Sequence, residues 1–418
     1  MGRIQLLPIL FFARGAISVT MKFSQDLMTT TLLHAGRAYT SSGELGDAAI
    51  LIRDGVIESV GPRSGVSLPA GATEVQATDL IATPGFVDVH IHGAGGHDVM
   101  EATEDALKAV AKMIASHGTT SFLATTVTAN PDAICKSSEG IARYIGTQYL
   151  AADSRAEVLG IHFEGPFISP VRPGVHPLEW IHLPSADMLA KFIAAAGGHA
   201  QLITIAPELL GATPCIEAAR NAGLVVGMGH TDANYEQARA AIAHGVHHAI
   251  HVYNAMRPFS HRDSGVIGAV LTSPEVTAEL IADGIHVEDI AMKMLLQAKG
   301  AAGVILISDG TAATGMSDGK YMLGEMEVTV SGGVCRNAEG KLAGSALTLD
   351  RSLRNIVKLG IPLGDALRML TFNPAKLLGI EFKKGSLRAG ADADILLFDS
   401  ALNITQVYTR GIANQGSS

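Results

Sequence analysis

Val158-Leu159-Gly160-Ile161-His162-Phe163-Glu164-Gly165-Pro166-Phe167 is an apolar run that ends in a carboxylate and is stopped at once by Gly-Pro. It reads as a buried strand that delivers Glu164 to its C-terminal end and then turns sharply. Three later segments repeat the arrangement with metal-binding side chains. Leu224-Val225-Val226-Gly227-Met228-Gly229 leads to His230, His248-Ala249-Ile250 to His251, and Gly303-Val304-Ile305-Leu306-Ile307-Ser308 to Asp309. An earlier run, Gly85-Phe86-Val87-Asp88-Val89, leads to His90 and His92. Five apolar strands, each ending in His, Glu or Asp, predict one metal site assembled at one face of a parallel sheet.

Working outward, the same texture gives eight strands, at 85–92, 119–126, 157–163, 201–206, 224–229, 247–252, 277–283 and 303–308. Helical segments intervene, among them 106–116, 234–243 and 287–298. Asp232 or Asn234 can cap the second of these, and Gly245 closes it. Near-continuously apolar strands alternating with helices imply a parallel sheet. Reactive side chains at the strand C-termini favour a (β/α)8 TIM-type barrel over an open doubly wound sheet. No GxGxxG turn follows the first strand, so a dinucleotide fold lacks its signature. Residues 29–83 read instead as short strands and turns, with Asp54-Gly55 between apolar runs as a hairpin signal. Residues 384–418 return to that pattern. The expected organisation is an extension at 1–28, expected to be disordered, a small β-sandwich domain built from both ends (29–83 and 384–418), and a barrel over 84–383.

At 418 residues, 47% hydrophobic and 17% charged, the chain has a globular composition long enough for a barrel with a small appendage. The net charge of −9 gives a nucleic-acid partner no electrostatic support. Cys135, Cys215 and Cys335 are isolated and odd in number, which fits a reducing compartment and no disulfide framework. Leu6-Leu7-Pro8-Ile9-Leu10-Phe11-Phe12-Ala13 superficially resembles a signal peptide, but the run is short and interrupted by Pro8. An upstream extension is the preferred reading, with Met21 or Met28 as starts. With no apolar run long enough to span a bilayer, the expectation is a cytoplasmic protein without a membrane partner.

In His90-Ile91-His92 the two imidazoles share one face of a strand and point into the barrel, as metal ligands or as a hydrogen-bonded polar core. Glu164, His230 and His251 together match a catalytic zinc shell that leaves one position for water. Asp309 is placed to act as general base and then acid beside such a water; its bland alternative is a helix cap. His176 and His286 lie in or beside loops over the same mouth, and either could meet substrate or face solvent. His162, His244, His247, His248 and His261 read as structural or surface, and Met100, Met113, Met292 and Met294 as core.

These residues carry a resemblance. Pro84-Gly85-Phe86-Val87-Asp88-Val89-His90-Ile91-His92-Gly93 resembles the opening strand of the amidohydrolase superfamily. His162-Phe163-Glu164-Gly165-Pro166-Phe167, Gly229-His230-Thr231-Asp232-Ala233, His251-Val252-Tyr253-Asn254-Ala255-Met256 and Leu342-Ala343-Gly344-Ser345 resemble its branch of amino-sugar phosphate deacetylases. The resemblance runs from about residue 29 to 410. Glu164 stands where most of the superfamily carries a carbamylated lysine. The resemblance implies that Glu164, His230 and His251 hold the main divalent metal, with His90 and His92 able to hold a second. Zinc is the first expectation, with iron or another divalent ion behind it. It implies Asp309 as the catalytic acid/base, and Val175, His176, His286, Leu342, Ala343 and Gly344 around the sugar. Asn254 and Ala255 would meet the phosphate, and Arg262 would reach the neighbouring site of a homodimer. The implied reaction converts N-acetyl-D-glucosamine 6-phosphate into D-glucosamine 6-phosphate and acetate. Two readings stay beside it: another amidohydrolase, such as a deaminase or cyclic amidase, and a non-catalytic scaffold of the same fold.

Overall fold

The computed structural model describes residues 30–414, save 151–152; the expected N-terminal extension, 1–28, lies outside the described residues. Among the described residues, eight parallel strands form one sheet: Phe86–Ile91, Thr119–Thr126, Glu157–Phe163, Ala200–Thr204, Val225–Met228, His248–Ala249, Thr277–Ile281 and Val304–Ile307. They pair in sequence order. Closure between the eighth and first strands comes at and just beyond their C-terminal ends. There the Asp309 N–H donates to the His90 carbonyl at 2.9 Å, and the His92 N–H to the Gly310 carbonyl at 2.8 Å. The fold is a (β/α)8 barrel with a separate, mostly β unit.

Side chains alternate along each strand, so one set fills the barrel and the other faces the helices. Val87, Val89, Leu123, Leu202, Ile281, Ile305 and Ile307 pack inside. Phe86, Phe122, Ile161, Phe163, Ile203 and Leu306 join the larger layer under the helices. Each fully buried side chain of this kind stabilises the fold by about 1.5–3 kcal/mol relative to exposure. Local chemistry sets the helix starts. The Thr103 hydroxyl accepts from the Ala106 N–H before helix Glu104–Ser116, and Asn130 with Pro131 opens Pro131–Thr147. Asn234 and Gln237 form a reciprocal capping box for Tyr235–Ala243. Met294 does not belong to the core as its helical position suggested: helix Asp289–Lys299 turns it outward and leaves it 52% exposed, whereas Met292 is buried.

The two chain ends meet in one seven-stranded sheet among the described residues. Thr30–Thr40, Gly43–Arg53, Val56–Pro62 and Thr73–Pro84 come from the N-terminal side, and Ile395–Phe398, Ile404–Thr409 and Ile412–Ala413 from the C-terminal side. Ile395–Phe398 pairs antiparallel with Thr73–Pro84, which continues directly into the first barrel strand. Leu33, Ile50, Ile57, Leu387, Ile395 and Leu397 form the separate core of this unit.

Buried Lys384 ties this unit to the N-terminal end of the barrel. Its Nζ lies 2.7 Å from Glu157 on the third barrel strand, 2.8 Å from Asp392 and 2.9 Å from Asp394. Burial alone would lower the lysine's proton affinity, but Asp394, Glu157 and Asp392 outweigh it and hold it above the ordinary range. A raised lysine contributes its full stabilisation below its unfolded value near about 10.4 and loses it only as pH rises through the folded value. At pH 7 the whole effect is therefore measurable. Lys384→Met leaves buried carboxylates without their shared cation and is expected to lower stability by about 3–5 kcal/mol in denaturant titration. A change under about 0.5 kcal/mol, ordinary for a surface site, would contradict the arrangement.

Candidate metal centre and substrate cavity

Glu164 follows the third barrel strand and is the hub of the barrel mouth. Its Oε1 lies 2.9 Å from His251 Nε2, 3.1 Å from His230 Nε2 and 3.4 Å from His90 Nε2. Its Oε2 lies 3.2 Å from His92 Nε2 and 3.4 Å from His176 Nε2. Asp309 Oδ1 stands 3.2 Å from His92 Nε2 and 3.6 Å from His90 Nε2. Three sets of donor atoms are close enough to share an ion: His90, His92 and Asp309; His90, Glu164 and His251; and Glu164, His176 and His230. The backbone bends hard to present them. His230, His251 and Asp309 have φ of 45°, 25° and 49°, a left-handed region costly for residues with a Cβ and concentrated at functional sites.

For four of the rings a hydrogen bond on the far side decides which nitrogen faces the cluster; the buried Nδ1 of His251 has no such partner among the described residues. His92 Nδ1 donates to the Thr125 carbonyl at 3.0 Å and His230 Nδ1 to the Arg172 carbonyl at 3.1 Å. In both rings Nε2 is therefore the nitrogen turned to the cluster, the one that a cation would meet. His90 Nδ1 is 2.9 Å from Glu279 Oε2, and its buried Nε2 has no hydrogen-bond partner. His176 is set the other way. Its Nδ1 accepts from the Thr128 N–H at 3.2 Å, so Nε2 carries the proton and faces the cluster as a donor. His176 is thus better suited to hold an anionic oxygen than a cation.

The donor set fits a divalent ion. His230 Nε2 and His251 Nε2 lie 3.2 Å apart, two basic nitrogens that need a proton or a cation between them. Burial and then the neighbouring His176 push His230 down to about 4, so at neutral pH the ring is uncharged, with its one proton on Nδ1. For His92 burial opposes the charge, but hydrogen bonds to Asp309 and Glu164 push it up to about 10, so in the metal-free protein an entering cation displaces a proton. For Asp309 burial opposes ionisation, and the His92 hydrogen bond with the charge on His90 holds it below the ordinary carboxylate range. It is ionised, 9% exposed and open to the mouth, as a general base must be.

Above the centre lies a cavity of about 1110 Å³. Val175, His176, Asn254, Ala255, His286, Leu342 and Gly344 line it together with His92, Glu164, His230, His251 and Asp309. His90 lies beneath them, fully buried. One expected lining residue is not on this wall, and the residue expected to serve a neighbouring subunit lies away from it. Ala343 turns into an apolar cluster with Val127, Leu323, Val328 and Cys335. Arg262 is exposed on the Ser260–Asp263 turn and does not line the cavity. Met100 lines the cavity instead of belonging only to the core, because it sits on the turn Val99–Glu101 that follows the His90-Ile91-His92 segment. Gly174 crosses so close that a Cβ there would stand 2.9 Å from His230 Cε1, at a φ of 60°.

Several contributors were not anticipated. Glu279, a carboxylate inside the apolar strand Thr277–Ile281, touches His90. Asp283 accepts from His286 Nδ1 at 2.7 Å. A three-stranded sheet, Gly319–Leu323, Met326–Ser331 and Val334–Arg336, leans its first turn over the cavity, where the Gly324 N–H donates to Asp98 Oδ2 at 2.8 Å. Glu279 and Asp283 leave a weak signal, a charged residue breaking an apolar run. The added sheet leaves none near the metal-binding motifs.

A closed parallel barrel with a histidine–carboxylate centre and an acid at the C-terminal ends of its strands defines the class of metal-dependent barrel hydrolases. The chain belongs to the amidohydrolase family, whose model matches residues 81–413. It is 37% identical over 342 residues to the N-acetylglucosamine-6-phosphate deacetylase of Lysinibacillus sphaericus, covering 82% of this chain and 87% of that one. It is 36% identical over 383 residues to the N-acetylgalactosamine-6-phosphate deacetylase of Escherichia coli O157:H7, covering 91% and 98%. A solved mutant of the Mycobacterium smegmatis N-acetyl-D-glucosamine-6-phosphate deacetylase, in complex with N-acetyl-D-glucosamine-6-phosphate, superposes with a TM-score of 0.85 at 34% identity, covering 92% and 99%. Among the described residues no helix is long and apolar enough to cross a membrane.

The Asp283–His286 pair makes the cavity wall titratable. Burial would lower His286, but the hydrogen bond and charge of Asp283 outweigh it and raise the imidazole. The pair therefore contributes fully below the unfolded value near about 6.5 and is lost as pH rises through the higher folded value. Asp283→Asn is expected to move the His286 titration downward, read by NMR of the ring protons. An unmoved midpoint would contradict the pairing.

Proposed function

We propose that this protein removes the acetyl group from N-acetyl-D-glucosamine 6-phosphate, giving D-glucosamine 6-phosphate and acetate. The observation that carries the reading is the convergence of Glu164, His90, His92, His230, His251 and Asp309 at the floor of one cavity. The similarity to deacetylases of acetylated amino-sugar phosphates over most of both chains adds the substrate class. Glu164, His230 and His251 hold the main divalent ion, zinc first and iron or another divalent ion behind it, and His90 and His92 extend the site toward a second. A divalent ion bound there supplies Lewis acidity to the acetyl carbonyl and lowers the pKa of water toward about 7.

The chain's own groups do the rest. Asp309 takes the proton of the attacking water as the new C–O bond forms at the acetyl carbon. The Nε2–H of His176, fixed as a donor by Thr128, meets the developing oxyanion. Asp309 then returns the proton to the amide nitrogen as the C–N bond breaks, so the amine leaves neutral. Val175, His286, Leu342 and Gly344 enclose the sugar, with Ala343 supporting that wall from behind. Asn254 and Ala255 meet the phosphate. Arg262 projects from its exposed turn to the phosphate of a neighbouring subunit in a homodimer, where its planar fork matches phosphate oxygens. The nearby acids Asp263 and Asp232 are taken by Arg257, at 2.7 and 3.3 Å, and among the described residues Arg262 makes no ion pair within its own chain.

The test is acetate release from N-acetylglucosamine 6-phosphate and its galactosamine epimer, before chelation, after it and after metal restoration. Activity lost on chelation and regained with zinc is expected. A metal-replete protein inert toward both sugars, yet active on a cyclic amide or an aminopurine, would contradict the reading. Asp309→Asn is expected to keep its metal, measured by elemental analysis, while kcat falls about 10²- to 10⁴-fold. Turnover at the wild-type rate would remove Asp309 from the assigned role.

A further inference from the structure

Glu279 occupies the middle of the seventh barrel strand and shares its inward face with Ile281. It is fully buried, and its charge partners are imidazoles rather than lysine or arginine. A carboxylate at this depth is costly unless its oxygens are satisfied, and the same layer elsewhere holds Ile281 and Ile305. Its oxygens are taken by three donors. Oε1 accepts from His248 Nε2 at 2.8 Å; Oε2 accepts from His90 Nδ1 at 2.9 Å and from the His251 N–H at 3.1 Å. His248 is held in turn by Thr277, whose Oγ1 lies 2.8 Å from its Nδ1. One side chain thus joins the strand that presents His90 to the bend that presents His251.

We propose that Glu279 is a positioning residue for the cation centre, acting chiefly through His90. A carboxylate only accepts, so the His90 proton is kept on Nδ1 and the Nε2 lone pair is turned into the cluster. Among the described residues, that Nε2 is one of the buried polar atoms left without a hydrogen-bond partner. A carboxylate behind a ligating imidazole also raises the basicity of the ligand and fixes the ring's orientation. His162 closes the other side of the ring, edge-on at 4.7 Å, with its own Nε2 held at 3.0 Å from the Thr204 hydroxyl. The second contact is on the backbone. The His251 N–H is held at a residue whose φ of 25° an unsupported chain would relax.

This inference rests on the metal-centre reading and not on the substrate, and its test uses no substrate. Metal-stripped wild type, Glu279→Gln, His90→Asn and the double variant are titrated with zinc against a chromophoric chelator. Glu279→Gln keeps the size of the side chain but sets an amide NH2 against one imidazole. It is expected to weaken zinc binding about 10- to 100-fold, with the drop largely absent in the His90→Asn background. Wild-type affinity in Glu279→Gln, or an equal drop in both backgrounds, overturns the proposal. A wild type that binds no zinc would overturn the metal centre itself, a separable outcome. Should Glu279→Gln not fold, the zinc-loaded wild type carries the test by NMR. A low-field, hydrogen-bonded Nδ1 proton that disappears in His90→Asn supports the proposal, and a zinc-loaded His90 without an Nδ1 proton overturns it.

Discussion

The arrangement depends on one buried carboxylate held among imidazoles. Glu164 places both oxygens within 3.4 Å of five histidine Nε2 atoms, contributed by segments that lie from residue 90 to residue 251. In a metal-free protein such a set holds together only by sharing protons, and burial makes each bare charge costly. A cation resolves the conflict. The barrel holds the ends of its strands in register against that electrostatic pressure: His230, His251 and Asp309 are kept in left-handed backbone, and branched apolar side chains pack in the interior below.

Tautomers sort the histidines more sharply than distances do. His92 and His230 donate backward to carbonyls, and His90 donates backward to Glu279, so all three turn a lone pair toward the centre. His176 accepts from behind and turns a proton toward it. Distance alone would group His176 with the ligands; the direction of its hydrogen bond assigns it to substrate. The same cavity floor therefore carries both Lewis-basic and hydrogen-bond-donating groups, which is what hydrolysis of an amide through an oxyanion requires.

Much of this was legible in the sequence, for a physical reason. A parallel barrel buries its strands on both faces, so each strand is an apolar run, and a His, Glu or Asp at the end of such a run stands out. The eight strands and Glu164, His230, His251 and Asp309 were readable on that ground. The exposed Met294 and the cavity-lining Met100 were not, because a methionine in a helical stretch carries no sign of which face it occupies. The sheet over the mouth, 319–336, was silent because its strands are short and half exposed, with no chemistry of their own. Glu279 is not legible as a site residue, because a lone acid in a strand has the pattern of a solvent-facing position until its neighbours across the barrel are known. Ala343 shows a related limit: a motif names residues together, while the backbone sends alternate side chains to opposite sides.

The most direct measurement is anomalous diffraction at the zinc edge from crystals of the protein grown with zinc. The account predicts a peak bonded to a Glu164 oxygen and to the Nε2 atoms of His230 and His251, at about 2.0–2.2 Å. A zinc-replete crystal with no anomalous peak within reach of those three atoms would contradict it.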